Sequence, residues 1–381
     1  MASKYRAGII LTEVANMKKN YINTEVNNSI NPDNNIVFSS KSGIELHGSI
    51  RLPKDLSHKH SAVLIISGSG PVDRNGNAPS QLGIPPINLD IYNWIADILA
   101  EQGIASLRYD KLTSGDTGLG PYASDPNSLV DQSFNKLFVE PAQDALTYLA
   151  KQPGIDPDKI TILGHSEGGL IATLISSSDK TILKPAGLVL AEPSYSRFLD
   201  IVARQLEDQI KQAKMSSNEE TLLIDWVLEG VKNIRKGRLQ DKSIVIAPPI
   251  VSPSKTAKQW QDMIQAIVYQ RMSNNLIKTE DEIDPCELAP NIKLPILITA
   301  GSKDFNTPPN SKGPAGSGVW ALAQAFKKHN KDNLRYVELK NVVHILRDVG
   351  EQDATTLPLA SQVKYPYSKQ FKKELRNFLS K

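Results

Sequence analysis

Residues 159–177, KITILGHSEGGLIATLISS, constrain the chain more than any other stretch. Ile160, Thr161, Ile162 and Leu163 form a short β-branched and aliphatic run. Leu170, Ile171, Leu174 and Ile175 recur at helical spacing after Gly164-His165-Ser166-Glu167-Gly168-Gly169. The pattern predicts strand, sharp turn, helix. A serine on such a turn sits in a strained backbone conformation, and the glycines two residues to either side remove β-carbons that would clash where strand and helix meet. The hydroxyl is then held out at the edge of a sheet. A glycine-rich turn that serves packing alone would share this pattern, so the remainder of the chain has to supply the serine's chemical partners.

The flanking sequence predicts a parallel sheet covered by helices. Residues 35–53 form short β-like runs around Lys41-Ser42-Gly43, read as an antiparallel hairpin at a sheet edge. Residues 62–66, AVLII, are apolar throughout, as a central parallel strand buried on both faces requires. A helix over 91–101, a strand over 104–110, a long loop over 111–127, a helix over 138–152 and a strand over 187–190 continue the alternation. The loop over 111–127 is expected to line or border the site. After Pro193 the texture becomes helical: Leu199, Val202, Ala203, Leu206 and Ile210 mark one amphipathic helix. Ser217 and Glu220 resemble a capping box opening a second, and Trp260, Met263, Ile264, Ile267 and Val268 mark a third. The block 196–288 is expected to be a helical lid inserted into the α/β unit. Strands over 294–300 and 335–339 and helices over 319–328 and 371–379 then resume the α/β pattern. Residues 1–34, rich in Asn and Lys, read as an N-terminal extension without assigned function.

With 381 residues, 40% hydrophobic and 22% charged, and a formal net charge of +3, the chain can bury a large core. Its charges are interleaved, which argues against nucleic acid or an anionic membrane surface as partner. No apolar run approaches the ~20 residues of a membrane span, and Glu13 interrupts the apolar patch near the start, so no signal peptide is read and a cytoplasmic location is expected. The lone cysteine, Cys286, excludes an internal disulfide and a thiol-rich metal site. His47, His58 and His60 lie close in sequence, but solvated or hairpin roles suit them better than a metal site. No cofactor and no metal are expected.

A serine hydroxyl needs a base within hydrogen-bond reach and a third group to orient that base. Two histidines follow the turn. His329 sits in a lysine-rich helix end, Lys327-Lys328-His329-Asn330-Lys331, and reads as exposed, whereas His344 follows a strand end, on the side of a parallel sheet where ligands bind. Asp304 follows an apolar strand through a glycine turn and is the candidate acid; an N-cap or turn role is the alternative. Residues 67–77, SGSGPVDRNGN, leave the carboxyl end of the 62–66 strand and bring backbone N–H groups close to a crevice, where an oxyanion would be bound. A tight turn held by an Asp73–Arg74 pair is compatible with that role.

With these motifs in view, the chain resembles the α/β-hydrolase superfamily with a helical cap. It is similar in particular to a bacterial serine esterase and aminopeptidase-like branch that carries a G-H-S-E-G-G elbow, here residues 164–169, and a G-S-G-P-x-D-R-x-G loop, here residues 68–76. The resemblance runs from about Asn35 to the C-terminus. It implies Ser166 as nucleophile, Asp304 as acid, His344 as base, and an oxyanion hole from the backbone N–H groups of Ser69 and Glu167. Relatives often have a basic residue and two glycines after the aspartate that stands here as Asp110, where this chain has Lys111-Leu112-Thr113-Ser114-Gly115. The loop is therefore expected to be reshaped. Three functions remain open: cleavage of small or medium carboxylic esters, peptidase or amidase action on the same triad, and a hydrolase-like binding protein without turnover. Glu207, Asp208, Asp225 and Glu229 read as a solvated face rather than an ammonium site, which favours the ester. Trp226, Trp260, Met263 and Ile267 read either as an apolar cover for an acyl chain or as the lid's own core.

Overall fold

The computed structural model describes residues 29–79, 86–179, 183–240, 246–310 and 318–380. The expectations for residues 1–28, the early apolar patch among them, lie outside the described residues. Eight strands form one sheet: β1 (Asn34–Ser39), β2 (Glu45–Arg51), β3 (His60–Ile66), β4 (Ala105–Tyr109), β5 (Ile155–His165), β6 (Gly187–Ala191), β7 (Ile296–Gly301) and β8 (Leu334–Leu339). Their order is β1-β2-β4-β3-β5-β6-β7-β8. β1 pairs antiparallel with β2 in the register Asn34↔Ile50 to Ser39↔Glu45, with Gly43 at φ 79° in the turn, and β2 pairs antiparallel with β4. All later pairs are parallel.

Period-two alternation on the buried strands feeds two hydrophobic layers. Ala62, Leu64 and Ile66 of β3 face the layer that holds Ala142 and Leu146 of α2 (Glu140–Ala150) and Leu170 and Ile171 of α3 (Glu167–Ser177). Val63 and Ile65 face the opposite layer, with Ile95 and Leu99 of α1 (Ile91–Ala100) and Phe371 and Leu375 of the C-terminal helix. The chain runs outward from β3 in both directions, to β4 on one side and β5 on the other, so the order reverses there. The loops after β3 and β5 therefore splay apart at the carboxyl ends of neighbouring strands, and a crevice opens between them.

Residues 29–33, read from the sequence as part of the extension, are tied to the sheet edge. Ile30 bridges Pro53, and the Asp33 carboxylate spans both terminal nitrogens of the buried Arg108 at 2.9 and 2.5 Å. Burial opposes the charge on Asp33, but Arg108 and Arg51 more than compensate and hold its carboxyl near 2.

Between β6 and β7 lie α4 (Phe198–Gln212), α5 (Ser217–Arg235), α6 (Lys255–Ile264) and α7 (Asn275–Asp281). They share a core of their own around Leu206, Ile210, Trp226, Val231, Trp260 and Val268. The capping box of α5 sits one residue earlier than expected, on Ser216 and Glu219: Ser216 Oγ accepts from the Glu219 amide, and the Glu219 carboxylate accepts from Ser216 N–H. Trp226 stacks on Tyr269 at 4.8 Å between ring centroids, and Trp226 and Trp260 are both buried. These tryptophans are the core of the helical segment and no cover for the site. The chain returns to the sheet through α8 (Pro285–Leu288), whose Cys286 packs with the α2/α3 layer. Then follow α9 (Gly318–His329), with His329 exposed, the short α10 (Leu359–Gln362) and α11 (Lys369–Leu379).

Candidate active site

Ser166 joins β5 to α3 at φ 56° and ψ −122°, a conformation that L-residues seldom adopt. The surrounding glycines are required by contact. A β-carbon on Gly164 would lie 2.1 Å from the Gly168 carbonyl oxygen, and one on Gly168 would lie 2.2 Å from that of Ile66. The turn is thus pressed between α3 and the end of β3, and the strain is held by the packing around it.

Three side chains from three strand ends meet here. His344 Nε2 stands 3.1 Å from Ser166 Oγ, and His344 Nδ1 stands 2.7 Å from Asp304 Oδ2. Asp304 is buried, and its Oδ1 also accepts the backbone N–H groups of Asn306 at 2.7 Å and Thr307 at 3.1 Å. Burial works against its ionisation, yet the His344 imidazole and the Thr307 donors prevail and bring the carboxyl down to about 2. Asp304 is therefore an anion throughout the physiological range, and an imidazolium on His344 would be stabilised beside it.

The loop after β3 closes the site from the other side. A β-carbon on Gly68 would approach Ser166 Cβ to 3.1 Å, so the backbone passes as close to the serine as glycine permits. The Gly68 N–H donates to Tyr92 Oη at 2.7 Å, which leaves the next amide, that of Ser69, as the donor this loop can offer. Ser69 lines the same cavity as Ser166 and His344, and Glu167 supplies the first amide of α3. Amides at a helix N-terminus and in a glycine loop suit a developing negative charge.

Sequence reasoning missed a second layer. Tyr92 Oη is 3.0 Å from His165 Nδ1, and His165 Nε2 is 2.9 Å from the His344 carbonyl oxygen. A carbonyl only accepts, so His165 carries its proton on Nε2 and its Nδ1 accepts a hydrogen bond from the Tyr92 hydroxyl. Burial, and then the neighbouring His344, push the His165 ring down to about 3, so it stays neutral. One chain of hydrogen bonds therefore links the Gly68 loop to the backbone of His344. Nothing in the linear sequence separates Tyr92 from an ordinary core tyrosine.

The 68–76 loop is held differently from the expected Asp73–Arg74 pair. Asp73 accepts the amides of Asn75 and Asn77, both at 2.8 Å, while Arg74 Nη1 bonds Asp110 at 2.5 Å and Nη2 bonds Asp116 at 2.7 Å. Asp110 folds its own loop back around itself, and at Gly115 a β-carbon would strike its carboxylate at 2.2 Å. Lys111, buried, bonds Glu167 Oε1 at 2.5 Å and lies over the Phe138 ring. The 111–127 loop thus props the elbow from beside it and contributes no residue to the cavity at Ser166.

That cavity holds about 180 Å³ and is walled by Pro71, Val72, Ile87, Leu89 and Tyr92. A second hollow of about 240 Å³ adjoins it at His344, Asn306 and Leu359 and is bordered by Gln205, Asp208 and Gln209 of α4. A larger hollow of about 840 Å³ lies at the amino ends of the strands, near Ala62, Gly187 and Ile296, away from Ser166. Among the earlier histidines, His47 faces Glu45 at 3.4 Å. His58 and His60 stand with Asp55, a carboxylate the sequence reading passed over, on an exposed turn where His58 Nδ1 is 3.0 Å from Asp55 Oδ2.

The sheet order, the covering helices and the strand-turn-helix at Ser166 define an α/β-hydrolase fold. Solved structures share it at low identity. An esterase of Pyrococcus furiosus, Pf2001, superposes with a TM-score of 0.50 at 12% identity, over 92% of this chain and 91% of that one. An acetyl xylan esterase from Paenibacillus sp. R4 does so at 0.50 and 14%, over 93% and 84%. DcsB, solved in complex with its substrate analogue, does so at 0.50 and 17%, over 92% and 99%. In sequence, 107 residues are 30% identical to the thiohydrolase aneE of Aspergillus aculeatus, a match spanning 28% of this chain and 28% of that protein. No protein-family model matches the chain.

Proposed function

We propose that the protein is a serine hydrolase that cleaves small or medium carboxylic esters through an acyl-enzyme. The observation that carries this reading is the continuous path from Ser166 Oγ through His344 to a buried, ionised Asp304, at 3.1 and 2.7 Å, beside the crevice where the strand order reverses. In the first step Ser166 Oγ bonds the acyl carbon and gives its proton to His344 Nε2, while Asp304 stabilises the imidazolium. The carbonyl oxygen, now anionic, accepts from the backbone N–H groups of Ser69 and Glu167. Collapse breaks the bond to the leaving oxygen, which takes the proton from His344. Water then repeats the sequence on the acyl-enzyme, releases the acid and restores Ser166.

The apolar wall at Pro71, Val72, Ile87 and Leu89 suits the acyl group, and the adjoining hollow under α4 suits the leaving alcohol. In this reading residues 196–288 act as a cap through α4, which is tied to the Asp304 loop by Arg204 Nη2 bonding the carbonyls of Phe305 at 2.6 Å and Asn306 at 2.9 Å. Peptidase action on an amino-terminal substrate needs a carboxylate facing the serine to hold the ammonium. Among the described residues the cavity at Ser166 carries none, Glu167 is taken by Lys111, and Asp208 is paired with Arg204 at 2.6 Å. A thioester, suggested by the name of the partial relative, would use the same steps with a thiolate leaving. The test is labelling with a fluorophosphonate probe together with turnover of nitrophenyl esters. Wild type should label once and turn over, and Ser166→Ala should do neither; a mutant that labels like wild type would remove Ser166 as the nucleophile.

A further inference from the structure

The residue just after β6 brings a second carboxyl group up behind Asp304. Glu192 is completely buried and its backbone lies at φ 49°, a left-handed conformation that a glutamate adopts only when its surroundings demand it. Its polar groups bond β7 and the Asp304 turn that follows it. Its N–H donates to the Thr299 carbonyl at 3.1 Å, and its carboxyl accepts from Thr299 Oγ1 at 3.3 Å and from the Gly301 N–H. Its carbonyl oxygen lies 2.9 Å from Thr307 Oγ1, which is itself 2.8 Å from Asp304 Oδ2. Thr307 Oγ1 thus stands between the Glu192 backbone and the Asp304 carboxylate, and the charge of Asp304 acts on the Glu192 carboxyl.

Two neighbouring carboxyl groups buried away from solvent cannot both be anions without a large cost, and one of them keeps a proton. The distribution of donors decides which. Asp304 holds His344 Nδ1 and two backbone N–H groups, all of which favour its charge, while the one proton of the Thr307 hydroxyl is divided between Asp304 Oδ2 and the Glu192 carbonyl. Glu192 has the Gly301 amide and a long contact from Thr299. Asp304, just after β7, acts on it most among titratable groups, Tyr336 of β8 feels its charge, and His344 lies beyond Asp304; among the described residues no lysine or arginine forms a hydrogen bond or ion pair with it. Burial first, and the Asp304 charge second, hold its carboxyl well above the ordinary range.

We propose that Glu192 is a positioning residue: a buried carboxylic acid that fastens the Asp304 turn to β6 through Gly301, Thr299 and Thr307, and stays neutral so that a single negative charge stands behind His344. This inference rests on the reading of Ser166, His344 and Asp304 as a catalytic set, but one arm of its test does not. Glutamine copies the neutral acid in shape and in having both a donor and an acceptor, and it can carry no charge. Were Glu192 ionised, Glu192→Gln would remove an anion near His344 and make the imidazole easier to deprotonate. The experiment compares wild type, Glu192→Gln and Glu192→Ala in two measurements: kcat/KM against pH, and the NMR titration of the His344 ring in the full chain.

With Glu192 neutral, Glu192→Gln keeps both the acid limb and the His344 titration within ~0.2 pH unit of wild type, and kcat falls no more than a few fold. Glu192→Ala, which cuts the tether, lowers kcat by about tenfold or more with little change in KM, as expected when a set of groups loses its alignment. A downward shift of His344 by about half a unit or more in Glu192→Gln overturns the neutral acid, because it shows that a charge has been removed. An Ala variant with wild-type kcat overturns the positioning role. Should Glu192→Ala fail to fold, the Gln titration still decides the first point and Glu192→Leu, which refills the volume, decides the second. A wild-type protein that neither hydrolyses esters nor labels would count against the catalytic reading, while the NMR comparison would still judge Glu192.

Discussion

Replacing Asp304 by asparagine tests the site at the point where its geometry leaves least freedom. Oδ1 of Asp304 accepts two backbone N–H groups, from Asn306 and Thr307, so the amide oxygen of an asparagine must take that side and its NH2 must face His344 Nδ1. A donor at that position forces Nδ1 to become the acceptor. The ring proton then moves to Nε2, 3.1 Å from Ser166 Oγ, where a base is required. The wrong tautomer should lower kcat by about 10³- to 10⁴-fold, or roughly 4–5 kcal/mol in the barrier. The fold should survive. Lowering of the carboxyl from 3.8 to about 2 corresponds to ~2 kcal/mol of preference for the ionised, bonded state, and that is the order of stability lost. Initial rates on a nitrophenyl ester give the first quantity and denaturant unfolding gives the second. A folded Asp304→Asn protein with kcat within about tenfold of wild type would show that the tautomer argument is wrong and that another group orients His344.

Tyr92→Phe strands two buried partners, the Gly68 N–H and His165 Nδ1, and should cost ~2–4 kcal/mol in denaturant unfolding together with a clear loss of kcat as the Ser69 loop loosens; unchanged stability would refute the hydrogen-bond chain. Gly164→Ala drives a β-carbon to 2.1 Å from the Gly168 oxygen and should yield little soluble folded protein, whereas Gly70→Ala has no such obstruction within 4 Å and should differ from wild type only by the strain of its φ of 90°; expression and circular dichroism compare the two. Glu192 and Glu280 both have carboxyls raised by burial, so the folded chain holds protons that the unfolded chain releases above about 4.5; stability is full below that pH and declines as pH rises toward the folded values. Glu280→Gln should therefore flatten the fall of the denaturant midpoint between pH 5 and 8, each taken as about the limits of the scan.

The parts of the fold that could be read from sequence are those whose pattern repeats locally. Leu64 and Ile66 lie in an apolar run that can be little other than a buried strand, and Gly164, Ser166 and Gly168 carry their conformational demand in their own identities. Helix ends slipped by a residue, as at Ser216, because Ser216 and Ser217 offer the same capping chemistry one position apart. Long-range pairing was not legible. Arg74 had a neighbouring aspartate in sequence, yet Asp73 is consumed by its own turn, and the partners come from Asp110 and Asp116 more than thirty residues away. Glu192 was passed over because an isolated glutamate before Pro193 looks like a loop residue, and only the meeting of β6 with β7 buries it. Trp226 and Trp260 had two open readings, and the α5–α6 packing takes them for its own core.

The charges around Ser166 follow one physical requirement. A negative charge developing on a carbonyl oxygen between the amides of Ser69 and Glu167 would be opposed by any other anion nearby, most of all by the carboxylate of Glu167 itself. Lys111 meets that carboxylate at 2.5 Å in a largely buried pair and offsets its charge at the residue whose amide the proposed reaction uses. His165, next to Ser166 in the chain, is kept neutral by burial, so no second imidazolium competes with His344 for Asp304. Glu192, buried behind Asp304, is held above the ordinary range by burial and by the Asp304 charge, and in the reading proposed above its proton keeps the negative charge behind the imidazole at one unit. In the proposed reaction, what is left is an ion pair that can form between His344 and Asp304 and an oxyanion that would face only donors. The buried lysine, the neutral histidine and a protonated glutamate cost stability to enclose, and the proposed reaction gives that cost a purpose: the charge on the substrate at Ser166 is then the one left uncompensated by side chains.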